Sequence, residues 1–263
     1  MVQTARQMTF DVPGAIHMHS DYSHDGLDSL ENLREVCITR GIRWVGLTDH
    51  AEDLDEEVFS EYLAHCASLS DDEFRFIPGL EFRFAGFRGV HLFAVGLDRW
   101  IQPRTFEEFF DQTNTAARFT VLAHPVLCRY VVPPIVLERI DAIEIWNTNY
   151  NTRYLADPRA IELYHTLHAR RPEVVATVGL DQHDSSNDRE VRTLIAADDV
   201  ATAPDALKAG RFRTTGRNVT FDSVASMSAG EMRSLRFRRA AFDVVERLQN
   251  RAVIAIRRLA VSR

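Results

Sequence analysis

The length and composition of the chain limit the classes of protein to consider. It has 263 residues, of which 45% are hydrophobic and 26% are charged, and this is ordinary for a folded protein of one large or two small domains. No apolar run reaches the roughly 18 residues of a membrane span, and the first residues lack the apolar stretch of a secretory signal. The sequence therefore predicts a cytoplasmic protein without a transmembrane segment.

Charge and cysteine content exclude two further classes. A formal net charge of −7 at pH 7 disfavours stable nucleic-acid binding, which needs clustered lysine and arginine. The three cysteines, Cys37, Cys66 and Cys128, are too few for a disulfide framework and too scattered for a thiolate metal site. An anionic substrate would therefore need a local source of positive charge.

Short apolar runs alternate with helical patterns over most of the chain. The strand-like runs cover residues 14–20, 44–50, 74–82, 90–97, 119–125, 141–147 and 173–181. Repeated strand–helix alternation predicts a mostly parallel sheet, open or closed, and about seven strands favour a barrel. Gly86 and Gly89 separate two of the runs by too few residues for a helix, so a β-hairpin is predicted there.

Two segments define the predicted organisation further. Asp28 followed by Glu31 predicts a capping box at the start of the first helix. After residue 200 the pattern changes to a short helix within 205–212, a strand within 218–224 and a long helix over 229–260. We therefore predict a barrel domain over residues 1–200 and a C-terminal extension over 201–263 that packs on it.

Histidines and carboxylates recur where the predicted strands end. His17 and His19 are two residues apart in a strand, so their side chains are expected on the same face. Alone this pair is weak evidence, because it arises by chance in many sequences. In α/β barrels the functional face lies at the carboxyl ends of the strands. Further candidates that would converge there are Asp49, His50, Glu81, His91, His124, Asp181 and His183.

Such a cluster needs a compensating charge. Burying several imidazoles and carboxylates without one costs several kcal/mol per ion, whereas divalent ions bind neutral imidazoles and ionised carboxylates together. A histidine, aspartate and glutamate set without cysteine suits Zn, Mn or Fe. The candidates exceed one tetrahedral site, so two or three ions are predicted, with Glu81 as the natural bridging ligand.

The remaining histidines lie in a loop or within helical patterns. His24 lies in the opening loop and is a ligand, a proton donor or a solvated residue. Three histidines fall inside helical patterns and are interpreted as surface or packing residues: His65, His165 and His168.

The motifs HMHSDYSHDG, TDH, GLE, VHL, AHP and GLDQH stand in this order over residues 14–200. Together they resemble the polymerase and histidinol phosphatase superfamily of PHP domains. The resemblance implies an α/β fold, a distorted seven-stranded (β/α)7 TIM-like barrel, with a trinuclear metal centre that hydrolyses phosphate esters. The metal ligands it implies are His17, His19, Asp25, His50, Glu81, His91, His124, Asp181 and His183.

The sequence departs from the family pattern at two places. The closing motif has Leu180-Asp181-Gln182 where Ser-Asp-Ala is common, so the ligand positions are kept and a different pocket wall is expected. His24 directly precedes Asp25, so the ligand in this loop is uncertain by one residue. The candidate catalytic residues are therefore Asp25, Glu81 and His24.

We interpret the chain as a metal-dependent phosphoesterase acting on a small phosphorylated metabolite. Arg129, Arg153 and Asn147 follow strand ends and are candidate substrate-binding residues. A phosphodiesterase or exonuclease acting on nucleotides would use the same metals, and a non-catalytic metal-bound regulatory module is a third possibility.

The C-terminal helix has nine arginines against three acidic residues between Glu231 and Arg263. Its apolar stripe is expected to pack on the barrel or on a second subunit in a homo-oligomer. Binding to a membrane surface is the alternative.

Overall fold

The computed structural model of the chain describes residues 9–186, 190–217 and 219–261, with side chains described up to residue 245. It divides the chain into two compact units, Met1–Ala225 and Ser226–Arg263. In the described residues, no helix is long and apolar enough to cross a membrane.

Two six-stranded sheets form the first unit within the described residues. In chain order the strands are β1 (Val12–Met18), β2 (Trp44–Leu47), β3 (Asp49–His50), β4 (Arg75–Ile77), β5 (Gly79–Arg83), β6 (His91–Val95), β7 (Phe119–Ala123), β8 (Ala142–Asn147), β9 (Val175–Gly179), β10 (Arg192–Ile195), β11 (Arg213–Gly216) and β12 (Val219–Asp222). The sheet orders are β12-β11-β10-β1-β2-β4 and β3-β5-β6-β7-β8-β9. All seven predicted strand segments are present, two of them divided.

The two divided segments connect the sheets. β2 pairs with β4 in the first sheet, and β3 pairs with β5 in the second. Pro78 separates β4 from β5, and proline interrupts a strand because it has no N–H to donate. At the other side, Leu180 N donates to Ile16 O at 3.0 Å and Asp181 N donates to His17 O at 2.6 Å. The chain after β9 therefore hydrogen-bonds to β1 where the candidate ligands lie.

Seven α-helices lie in the described part of the chain. They are α1 (Leu30–Thr39), α2 (Glu56–Ser68), α3 (Phe106–Ala116), α4 (Pro134–Arg139), α5 (Pro158–His168), α6 (Ala203–Lys208) and α7 (Ala229–Val261). Ser29 caps α1 by accepting from Asn32 N, so the predicted cap at Asp28 is wrong. Asp28 instead accepts from Ser185 N at 2.6 Å.

The predicted hairpin is confirmed, because β5 and β6 pair antiparallel with Arg83 opposite His91. β6 also pairs antiparallel with β7. The end of β5, the start of β6 and the end of β7 are therefore neighbours at one edge of the sheet. This arrangement brings Glu81, His91 and His124 together.

A hydrophobic cluster contains residues from both sheets. It includes Ile16 from β1, Phe93 from β6 and Val121 from β7, all at most 1% exposed. A fully buried side chain of this size contributes about 1.5–3 kcal/mol to stability. The ring centroid of Phe93 lies 4.8 Å from that of His17, so this core packs directly against the first of the candidate ligands.

The region after residue 200 belongs partly to the first unit. β10, β11 and β12 continue the first sheet beyond β1 in antiparallel pairs, and Ala203 and Leu207 of α6 are in the core. The first unit therefore reaches Ala225, beyond the predicted boundary at residue 200. The second unit contains α7, the predicted long helix; its packing on the barrel and its role in a homo-oligomer stay predictions.

Candidate metal centre

A bulge in β1 positions the first two histidines. The register against β2 shifts between Ile16 and Met18, and His17 at the bulge has a φ of 62°. His17 Nε2 and His19 Nε2 lie 3.6 and 3.5 Å from Asp181 Oδ1. The two histidines thus face one carboxylate, but β1 ends at Met18, so the bulge rather than simple strand alternation brings them there.

Left-handed backbone recurs at the other strand ends of the site. His124 has a φ of 24° and Asp181 a φ of 49°. Such conformations are disfavoured for residues with a side chain and persist only where the surrounding structure fixes them. Both residues are almost fully buried, so their side chains are held in place by the fold.

The carboxylate of Glu81 lies at the centre of the cluster. Its Oε1 is 3.0 Å from His91 Nδ1 and 2.9 Å from His124 Nε2. Its Oε2 is 3.2 Å from His50 Nδ1 and 3.9 Å from Nε2 of both β1 histidines. Each oxygen of one carboxylate therefore faces a different group of imidazoles, as a bridging ligand would.

Of the two loop candidates, Asp25 directs its carboxylate at two imidazole nitrogens of the cluster, whereas the His24 ring lies beside that of His50 at a centroid distance of 5.7 Å with its Nδ1 held by Asp53. Asp25 Oδ1 lies 3.4 Å from His50 Nε2 and 3.5 Å from His183 Nε2. The His24 ring is 59% exposed and its Nδ1 lies 2.7 Å from Asp53 Oδ2. The geometry therefore favours Asp25 as the loop ligand.

Opposite charges face each other in this buried site. Burial alone would raise the pKa of the Glu81 carboxyl, but the surrounding imidazoles, His124 first among them, hold the pKa well below its usual range. Burial alone would lower the pKa of His17, yet the charges of Glu144 and Asp181 raise it well above the usual value. The lowered pKa favours the ionised form of Glu81, and this buried carboxylate requires positive charge in contact with it.

The donor set fits divalent cations. Among the described residues, four buried imidazole nitrogens make no hydrogen bond: His17 Nε2, His19 Nε2, His50 Nδ1 and His124 Nδ1. Each buried polar atom left unsatisfied costs about 1–3 kcal/mol, which coordination would remove. Three overlapping triads have ligand atoms within 4.8 Å of one another: His19, His50 and His183; His17, Glu81 and His124; His17, His19 and Asp181.

A second carboxylate, Glu144 of β8, supports the cluster from behind. Its Oε1 is 2.7 Å from His17 Nδ1, and its Oε2 accepts from His124 N at 2.7 Å. Glu144 therefore accepts a hydrogen bond from His17 Nδ1 and turns Nε2 of the ring towards the cluster. A side chain at Gly179 would lie 1.6 Å from Glu144 Oε1, so only glycine admits this carboxylate.

Glu144 was not predicted from the sequence, although a charged residue inside the apolar run DAIEIWN was a signal. The predicted place of Asp49 in the cluster is wrong. Asp49 Oδ1 accepts from Ser20 N at 2.7 Å and from Ser23 Oγ at 2.8 Å. Ser23 Oγ in turn accepts from His50 N at 2.9 Å, so Asp49 orders the loop that carries Asp25.

A cavity of about 330 Å³ opens onto the cluster. Beside candidate ligands, it is lined by Arg83, Asn149, Tyr150, Gln182 and Asp184. Arg83 was not predicted, although it lies two residues after Glu81 and hence on the same face of β5. It places a positively charged side chain in the wall of the cavity.

The predicted substrate contacts lie elsewhere. Asn147 is fully buried, and its amide donates to Glu144 Oε2 at 3.0 Å and to Asp181 Oδ2 at 3.2 Å. It supports the carboxylates and is not among the described residues that line the cavity, so its position does not favour a substrate contact. Arg129 and Arg153 are exposed and are not among the described lining residues; their substrate role stays a prediction.

The three histidines interpreted as surface or packing residues lie on helices outside the cavity. His65 Nε2 is 2.9 Å from Glu31 Oε1. His165 Nε2 is 3.2 Å from Ala225 O, and His168 Nδ1 is 2.8 Å from Val174 O.

Comparison with known proteins identifies a matching family and similar solved structures. The PHP domain profile matches residues 15–170, more than half of the chain. No curated protein matches. A Bifidobacterium adolescentis protein, provisionally described as a metal-dependent phosphoesterase, is 14% identical with a TM-score of 0.48, covering 67% of this chain and 89% of its own. PsfC from Pseudomonas syringae is 15% identical with a TM-score of 0.47, covering 72% and 86%.

Proposed function

The chain belongs to the PHP domain family, and on that premise we propose that it is a metal-dependent phosphoesterase acting on a small phosphorylated molecule. The observation that carries the proposal is the Glu81 carboxylate, 2% exposed and surrounded by five imidazoles. Ionised carboxylate and buried, unpartnered imidazole nitrogens together form a donor set for divalent cations.

In this proposal nine side chains hold two or three Zn, Mn or Fe ions, and Glu81 bridges two of them. The nine are His17, His19, Asp25, His50, Glu81, His91, His124, Asp181 and His183. Seven of them fall within the matched region, residues 15–170. Asp181 and His183 follow it, and Asp181 lies within 3.7 Å of three of the histidines.

When bound, the ions would supply a water that is nucleophilic near neutral pH and positive charge for a phosphate. The protein's part is positioning. Glu144 fixes the orientation of His17, and Asn147 holds Oδ2 of Asp181 so that Oδ1 faces the histidines. Asp25 lines the cavity, and its side chain is 41% exposed, so it can contact both an ion and an entering water.

We further propose that the two sheets form one distorted seven-stranded barrel. β2 with β3 and β4 with β5 each count as one strand that belongs to both sheets. The parallel bridge between Met18 and Gln182 supports closure at the other side. The ligands would then line one end of a continuous barrel.

The test begins with metal analysis of protein purified without chelator, followed by assays on 4-nitrophenyl phosphate and bis(4-nitrophenyl) phosphate. We expect at least two divalent ions per chain and faster hydrolysis of the monoester, lost on chelation and restored by added metal. Faster hydrolysis of the diester would instead support a phosphodiesterase or exonuclease. Bound metal without hydrolysis of either compound would support a regulatory module.

A further inference from the structure

Arg83 is placed to bind an anionic group beside the candidate ligands. Its Nη2 donates to His50 Nε2 at 3.1 Å, and its Nη1 lies 3.2 Å from Glu52 Oε1. The side chains of Arg83 and Glu52 are 44% and 42% exposed. Ion pairs this exposed are weak, whereas a guanidinium binds phosphate through two parallel hydrogen bonds. A phosphoryl group can therefore replace Glu52 as the partner of Arg83.

Among the described residues that line the cavity, Tyr150 is the only tyrosine, phenylalanine or tryptophan. It lies in the loop between β8 and α5, and its ring centroid is 4.8 Å from that of His124. The residue is 43% exposed. One part of the ring thus contacts a candidate ligand while another part remains open to a molecule entering the cavity.

Exposed apolar side chains concentrate around the same end of the first unit. Among its described residues, six large hydrophobic side chains are exposed, and five lie in loops that follow β1, β5, β7 or β8 at the site end. These five are Leu27, Phe87, Val131, Tyr150 and Tyr154; the sixth is Val224. Exposed apolar groups gathered near a polar cavity are typical of a binding surface.

We propose that Arg83 and Tyr150 select the substrate: Arg83 binds the phosphoryl group, and the ring of Tyr150 contacts the leaving group. The preferred substrates are then phosphomonoesters of alcohols that carry an aromatic or other planar apolar group. This inference rests on the proposed phosphoesterase function and specifies its substrate class.

The first test compares two esters with leaving groups of similar acidity, 2-phenylethyl phosphate and propyl phosphate. We expect the metal-loaded protein to prefer the phenylethyl ester in kcat/KM by about fivefold, within the range for one aromatic contact. Tyr150→Ala should abolish this preference, and Tyr150→Phe should retain it because the ring remains. Phe237→Ala removes an exposed aromatic side chain of α7 and serves as the matched control with unchanged preference.

The second test concerns Arg83. Arg83→Gln should raise KM for both esters by about tenfold, as expected for loss of a charge-assisted hydrogen bond, with the metal content unchanged. Glu52→Gln removes the competing carboxylate and should lower KM for both. Arg43→Gln is the matched control, since Arg43 pairs with Glu73 at 2.9 Å with similar exposure and lies outside the cavity lining. Unchanged KM values in both Arg83→Gln and Glu52→Gln would overturn the role of Arg83.

Binding of non-hydrolysable compounds separates this inference from the proposed function. Calorimetry should show tighter binding of benzylphosphonate than of methylphosphonate, and Tyr150→Ala should equalise the two. Equal affinities in the unmodified protein would overturn the Tyr150 contact even if both esters are hydrolysed. Selective phosphonate binding without hydrolysis of any ester would support the recognition pair and overturn the phosphoesterase proposal.

Discussion

The inner side of the proposed metal centre is buried among strands, whereas its outer side is built by loops. The side chains of His17, Glu81 and His124 are at most 2% exposed. Those of Asp25 and His183 are 41% and 22% exposed. The two sides therefore differ in how firmly the fold holds the candidate ligands before any ion binds.

The supporting contacts differ in the same way. A buried carboxylate, Glu144, contacts both inner histidines directly at 2.7 Å, whereas on the outer side Leu27 N donates to the backbone oxygen of His183 at 2.9 Å and the side chain of His183 is partly exposed. Pre-organised ligands bind an ion without an ordering cost. We therefore expect the inner side to determine metal retention and the outer side to adjust to substrate, which predicts graded effects of substitution.

The largest effect is expected on the inner side. His124→Ala removes an imidazole within 2.9 Å of Glu81 and should lower both metal content and kcat, the latter by at least about a thousandfold, because a bound Lewis acid contributes several kcal/mol. His165→Ala, a histidine on α5 outside the cavity, is the control and should change neither. Full activity and full metal content in His124→Ala would show that the inner cluster is not the metal centre.

Glu144→Gln tests the carboxylate behind the inner side. The amide keeps the shape but can present its nitrogen to His17 Nδ1 and loses the charge that orients the ring. Metal affinity should fall by about 10–100-fold, as for other residues that orient metal ligands, while circular dichroism shows a retained fold. Metal affinity equal to that of the unmodified protein would remove Glu144 from the centre.

The strands and most candidate ligands could be predicted from the sequence for physical reasons. Strands buried on both faces appear as short continuous apolar runs, and ligands follow such runs because the strand ends define the functional face. The prediction failed where position depends on contacts distant in sequence. His17 and Glu144 are 127 residues apart, so no local pattern shows that the carboxylate meets the imidazole.

The sequence also does not show which polar side chains at the strand ends are buried and which are open to the cavity. Asn147 and Arg83 both lie at strand ends, and residue type made Asn147 as plausible a substrate contact as any arginine. Only the structure shows that the Asn147 amide is enclosed by Glu144 and Asp181, while Arg83 remains open to the cavity. The strand β10 was missed because its burial alternates, and β11 was missed because Thr214 is the one buried residue of its four; neither forms a continuous apolar run.

A smaller effect is expected on the outer side. Asp25→Asn keeps an oxygen donor but removes the charge 3.4 Å from His50 Nε2. Activity should fall by about tenfold, the lower end of the range for residues that tune a metal site, and excess metal should restore it. The inner ions should remain bound through dialysis. Loss of all metal in Asp25→Asn would contradict the distinction between a firmly held inner side and an adjustable outer side.

The smallest effect is expected for His24→Ala, which separates the two candidates in the opening loop. The Nδ1 and the backbone N of His24 both lie within hydrogen-bond distance of Asp53 Oδ2, at 2.7 and 3.0 Å, and its ring meets the cluster only beside His50, at a centroid distance of 5.7 Å. Since an ion pair at this exposure contributes at most about 1 kcal/mol, activity and metal content should stay within about twofold of the unmodified values. If kcat instead fell strongly with unchanged metal content, and its pH profile lost a limb, His24 would be the proton donor and the outer side would take part in the chemistry directly.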